Sequence, residues 1–196
     1  MPESLFAQID AVREAWNVLH HPFYARWSRG ELTREELARY AGQYRHAVVA
    51  LAEGAQRAGS AHADEERAHV ALWDEFLESV GGDATAEALP ETAECAAAWS
   101  GEEADELASV AALFAIEAAQ PAISETKRIG LQRFYACGAT RYFDVHAELD
   151  HEHAAEGQAE LAARARDEDV PRLVAAAEAA LRANWRLLDG VERAAA

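Results

Sequence analysis

The sequence predicts an all-α, single-domain bundle of about seven helices spanning residues 1–196. Three observations carry this. A chain of 196 residues suits one domain with a sizeable core. Hydrophobic residues make up 51% of it, many of them Ala, with few strand-type alternations of Val, Ile and Thr. Apolar positions recur at helical spacing between short breaks, with no domain linker, low-complexity tail or long repeat.

The elements follow in order. Leu5, Phe6, Ile9, Val12, Trp16 and Leu19 form one apolar stripe over residues 3–19. Pro22 suits the first turn of a short helix over 22–29, which Gly30 can end. Thr33-Arg-Glu-Glu36 is a capping box that opens a long helix to about residue 58. After the possible break at Gly59-Ser60, a helix runs to about 80, where Gly81-Gly82 stops it. Residues 83–100 read as a loop and a short helix. Ser100-Gly-Glu-Glu103 reads as a second capping box, opening a helix that carries Glu117 and ends near Pro121. Further helices are expected over 123–136, over 139–166, and from a turn at Asp167–Pro171 to about 192. Short connections between such helices make one bundle.

Bulk properties exclude several functions. A net charge of −17 argues against nucleic acid and anionic membrane as partners. The first ten residues lack a basic start and an apolar run, so they do not read as a secretory signal. No stretch approaches 18 consecutive apolar residues, so no membrane-spanning segment is expected. Cys95 and Cys137 make no disulfide framework. A cytoplasmic protein that forms a homodimer is the resulting expectation.

The chemistry lies in two octets. His146-Ala-Glu-Leu-Asp150-His-Glu-His153 places His146, Asp150 and His153 on one helix face, since positions four and seven apart lie together. His151, Glu148 and Glu152 point elsewhere. His62-Ala-Asp-Glu-Glu66-Arg-Ala-His69 repeats the spacing, in a chain with eight histidines. Two imidazoles and a carboxylate on one face suit a borderline metal. A dinuclear site in a bundle draws ligands from several facing helices. Glu117, set in the apolar run Leu113-Phe-Ala-Ile-Glu-Ala-Ala, is the candidate further carboxylate, because a buried charge must be partnered. The expected ligands are Glu66, His69, Glu117, His146, Asp150 and His153. His62 is either a ligand, a support for one, or a surface residue, and Glu65 can take the place of Glu66. The set is too rich in nitrogen for calcium or magnesium and lacks the thiolates of structural zinc. Two irons, or an iron–manganese pair, fit it best, with dioxygen as co-substrate.

These residues carry a resemblance. His21-Pro-Phe-Tyr24-Ala-Arg-Trp27-Ser-Arg-Gly30, Tyr40-Ala-Gly-Gln-Tyr44-Arg-His46, His69-Val-Ala-Leu-Trp73, Glu117 with Pro121, Thr126-Lys127-Arg-Ile-Gly130 and the His146 octet resemble the heme-oxygenase-like proteins related to TenA and PqqC. Within them the match, over about 5–165, is closest to the non-heme diiron branch and its p-aminobenzoate synthases. The resemblance implies a seven-helix heme-oxygenase-like bundle that holds two irons rather than heme and works with an external reductant. It further implies that Lys127, the sole Lys beside 17 Arg, sits where those synthases carry a presumed amino donor. Tyr24 and Tyr40 match positions implicated in supplying the aromatic ring, so the substrate is either a small molecule or the protein's own side chains. Two departures stand out. His62 occupies the position of the synthases' first acid, and Ile116 stands where they carry Tyr. A TenA-like metal-free thiamine-pyrimidine hydrolase is the alternative enzyme, although the local motif around its Cys is not found at Cys137. The non-enzymatic alternative is a helical metal-binding or regulatory protein.

Overall fold

The computed structural model describes residues 2–102 and 104–195. Among these residues there are nine α-helices and no strand: α1 (Pro2–Ala15), α2 (Pro22–Trp27), α3 (Arg34–Arg57), α4 (Ala63–Val80), α5 (Pro90–Ser100), α6 (Glu106–Glu117), α7 (Gln120–Phe134), α8 (Arg141–Arg164) and α9 (Val170–Arg193). The surplus over seven consists of α2 and α5, the two short pieces. α3 packs on α4 and α5, α6 on α8 and α9, and α7 on α8, while α1 and α5 both lie against α9.

Local chemistry sets the boundaries. The Thr33/Glu36 capping box forms as the sequence predicts. α1 stops four residues before Leu19, because the Asn17 side chain caps a separate 3₁₀ turn at Val18–His20. The capping box expected at Ser100 does not open α6. Ser100 instead ends α5, Gly101 follows with a φ of 68°, and Asp105 caps α6 by accepting from the Ala108 amide. The other member of that expected box, Glu103, falls outside the described residues.

α6 is the inner helix. Every residue from Leu107 to Glu117 is buried, so the carboxyl of Glu117 has no path to solvent along its own helix. Glu106–Phe134, which joins α6 to α7, is long and apolar enough by composition to cross a membrane, despite lacking an uninterrupted apolar run. Within the bundle 78% of its most apolar window is buried, which makes it the core element.

Two close approaches position the site. A Cβ at Gly130 would collide with the Trp27 indole nitrogen, so only Gly lets α7 lie this close to α2. The Trp27 N–H then donates to the Lys127 carbonyl over 3.2 Å. At Gly157 an added Cβ would stand 3.3 Å from the Phe114 side chain, where α8 crosses α6 one turn from Glu117.

Candidate metal centre

α4 and α8 build the site as an antiparallel pair. Phe76 meets Phe143, Trp73 meets Tyr142, His69 meets His146, Glu66 meets His153 and His62 meets Glu156, so the numbers rise on one helix as they fall on the other. The lower half of this ladder is aromatic and dry. The upper half is the meeting of the two octets.

Five predicted ligands converge there. Glu66, His69, His146, Asp150 and His153 are all buried, none more than 7% exposed. Ligand atoms of Glu66, His69 and His146 lie within 4.8 Å of one another, as do those of Glu66, Asp150 and His153. Glu66 belongs to both sets. Its Oε1 stands 3.6 Å from His69 Nδ1 and 3.7 Å from His153 Nδ1, and its Oε2 stands 3.8 Å from His146 Nε2. These spacings are too long for hydrogen bonds. His69 Nδ1, His146 Nε2, His153 Nδ1 and Asp150 Oδ2 are buried without a hydrogen-bond partner. Buried polar atoms left unmatched are costly, and a cation between them would use the lone pairs that converge. The donor set therefore fits a metal. His146 is fixed for that role: its Nδ1 donates to the Tyr142 carbonyl over 2.7 Å, which leaves the Nε2 lone pair facing Glu66. The Tyr142 ring also stacks on His146, with centroids 4.0 Å apart.

Charge is poised around the cluster. Burial pushes Glu66 up, but the neighbouring His146 and His69 outweigh it and hold its carboxyl well below the usual range. Burial lowers His146 and His153, yet the carboxylates beside them raise both above the ordinary imidazole value. Glu117 is pushed up to about 9, first by burial and then by the charges of Asp150, Glu66 and Glu156. Glu117 thus faces the cluster's field, while its oxygens lie outside the two tight triads.

The remaining predicted residues divide. Glu66 lies inside and Glu65 at the rim, with a side chain 56% exposed. His62 stands at the N-terminus of α4, neither inside the cluster nor free at the surface. Its ring stacks on His153 at 3.9 Å and its Nε2 meets Glu156 Oε2 at 2.7 Å. With Glu65 and His153 it forms a third, outer triad. A cavity of about 260 Å³ opens beside His62, Glu117, His153 and Glu156. His151, Glu148 and Glu152 lie outside these groups, with His151, Glu148 and Glu152 all exposed. Glu156 and Tyr142 are the members that sequence reasoning missed. Both extend the α8 face, Tyr142 four residues before His146 and Glu156 three after His153.

Lys127 is buried to 1% exposure inside a cage of aromatic rings. Its Nζ lies 4.4 Å from the Tyr44 centroid and 5.5–5.7 Å from those of Tyr24, Tyr40, Trp73 and Phe143. Burial alone brings its ammonium from 10.5 down to about 7. Tyr24 and Tyr40 are hydrogen-bonded oxygen to oxygen at 2.9 Å, and burial holds both phenols well above their ordinary pKa. Between the cage and the cluster stands one aromatic layer: Trp73 packs on Tyr142 at 4.9 Å, and Tyr142 stacks on His146. Cys137 is buried elsewhere, with its Sγ 3.2 Å from Ser79 Oγ.

An all-α bundle with histidines and carboxylates converging from two facing helices is the architecture of helical-bundle metal proteins. A domain of unknown function with a heme oxygenase-like fold from Shewanella denitrificans superposes with a TM-score of 0.79 at 21% identity, covering 95% of this chain and 90% of that one. The profile of a family described as iron-containing redox enzymes matches residues 59–185, and that of the TENA/THI-4/PQQC family matches residues 9–72. A 4-aminobenzoate synthase of Nitrosomonas europaea is 32% identical, covering 94% of this chain and 89% of its own length. One of Chlamydia muridarum is 31% identical over 87% and 83%. The chain belongs to the iron-containing redox enzymes of the heme-oxygenase-like superfamily. It is an iron-dependent oxidative enzyme.

Proposed function

We propose that this enzyme uses two irons, or an iron–manganese pair, with dioxygen and an external reductant, to form 4-aminobenzoate or a closely related aromatic amine from its own side chains. The observation that carries this is the Lys127 amine, enclosed with the Tyr24 and Tyr40 rings one aromatic layer from the cluster. The relatives named 4-aminobenzoate synthase support the same product. Glu66, His69, His146, Asp150 and His153 would hold the metals, with Glu66 shared between two positions, Glu117 adding a carboxyl from the edge and His62 supporting His153. When bound, the metals would supply oxidising power drawn from dioxygen.

The chain's own residues do the rest. The closed cage excludes water from the Tyr24 and Tyr40 rings. With its pKa at about 7, Lys127 presents a substantial share of free amine near neutrality, which a permanently protonated Arg cannot do. The Tyr24–Tyr40 hydrogen bond fixes the two phenols relative to each other. His146, locked by the Tyr142 carbonyl and ring, ties the cage to the cluster.

The test is mass spectrometry of small molecules and intact protein after iron-loaded enzyme meets oxygen and reductant. Wild type should release an aromatic amine, lose the ring from Tyr24 or Tyr40 and lose the amine nitrogen from Lys127, and Lys127→Met should do none of these. Identical products and protein masses in the two would overturn the proposal while leaving an iron oxidase of external substrates.

A further inference from the structure

A second cavity, of about 280 Å³, lies between α1, α5, α9 and the α6–α7 junction. Trp99, Ile116 and Leu181 form an apolar part of its wall, beside charged and amide side chains. Three primary amides line it: Asn17, whose oxygen caps the Leu19 amide, and the buried Gln120, 2% exposed, and Asn184, 5% exposed. Gln120 Oε1, Gln120 Nε2 and Asn184 Oδ1 are all buried without a hydrogen-bond partner. The hydroxyl of Tyr44 is partnerless too. Gln120 and Asn184 stand close enough to counter some of the upward push of burial on that phenol, yet neither completes a hydrogen bond with it.

An unused donor and an unused acceptor on one buried side chain are expensive in a folded protein. Apolar walls that converge on a few such groups are the usual form of a small-molecule site. The mouth limits the charge of what enters. Arg13 lines it and pairs with Asp10, at 2.8 Å, and with the Ala118 carbonyl, which leaves its Nε as a buried donor without a partner. Glu14 lines the same mouth and adds a further negative charge.

We propose that this cavity is a binding site for a neutral small molecule with an apolar, ring-sized body and a carboxamide-like end. That end would offer a donor and an acceptor side by side to Gln120 and Asn184. An anion is disfavoured by Glu14, the charge left over once Arg13 and Asp10 pair. The site involves none of the residues that would hold metal.

Calorimetry with benzamide as the probe, and benzoate as its anionic counterpart, tests this on the full chain as purified. It needs neither metal nor oxygen, so its failure leaves the proposed chemistry of the metal centre standing. Benzamide should bind once per chain, and benzoate about tenfold more weakly or less. Gln120→Leu and Asn184→Leu should each weaken benzamide by about tenfold. Both variants should melt no lower than wild type, since each removes an unpaired buried amide without opening a void. No saturable binding of benzamide at low-millimolar concentration would overturn the proposal, as would equal affinity in the two variants and wild type. A lowered melting temperature in both variants would show that the amides serve the fold, and would also overturn it.

Discussion

Replacing Lys127 with Met asks whether an uncharged amine sits in the aromatic cage. Burial lowers the ammonium from 10.5 in the open chain to about 7. Between those values the unfolded state holds a proton that the folded state has released. Stability therefore rises with pH across that window, and this contribution is lost as the pH falls through about 7. From about pH 6 to about pH 9 the difference integrates to about two pH units, or ~3 kcal/mol. Attraction of the ammonium to the Tyr44 face at 4.4 Å returns about 1 kcal/mol on the protonated side, which leaves ~2 kcal/mol. Met has similar length and no titratable group, so its variant lacks this slope. Lys127→Arg, the simplest exchange in an Arg-rich chain, would bury a permanent charge and confound the result. Urea unfolding of both proteins at the two pH values gives the answer. Every other ionisable group is common to both, so the double difference isolates Lys127. Wild type should gain about 2 kcal/mol more than Lys127→Met over the interval. Parallel pH profiles would show that the amine is charged and solvated, and would refute the caged-amine reasoning.

Three further outcomes follow from the same geometry. Asp150→Ala should lower iron occupancy, by elemental analysis, far more than Glu148→Ala, because only Asp150 faces Glu66 and His153; equal losses would mean that the octet is not the site. His62→Ala should weaken metal binding roughly 10–100-fold, as expected when the support of a ligand is removed, since His62 stacks on His153 and bonds Glu156. Unchanged affinity in a metal-competition titration would return His62 to the surface. Tyr24→Phe and Tyr40→Phe should each break their shared hydrogen bond while leaving iron content at the wild-type level, because neither phenol belongs to the cluster; loss of iron in either would contradict the separation of cage from centre.

Much of this was legible because helices impose a short period. His146, Asp150 and His153 fall on one face by spacing alone, and the matching octet at His62–His69 names the facing helix. Glu117 could be read as buried from the apolar run around it. The sole Lys stood out by count, but the cage that neutralises it did not, since its rings come from α2, α3, α4 and α8. Helix crossings set what the sequence hid. Glu156 enters because the antiparallel ladder carries His62 to it, 94 residues away in the chain. Gln120 and Asn184 line one cavity from α7 and α9, which no local pattern encodes. The misplaced start of α6 has a local cause. Ser100 and Asp105 both offer a capping oxygen, and the left-handed Gly101 between them assigns Ser100 to the helix before.

The central claim is that Glu66, shared between two buried triads, organises a pair of metals. Elemental analysis after anaerobic iron loading tests it most directly, on wild type and on Glu66→Ala. Two irons per chain are expected in wild type and near-complete loss of both in the variant, because Glu66 belongs to both triads. Wild type without bound transition metal, or a Glu66→Ala variant that keeps both irons, would contradict it.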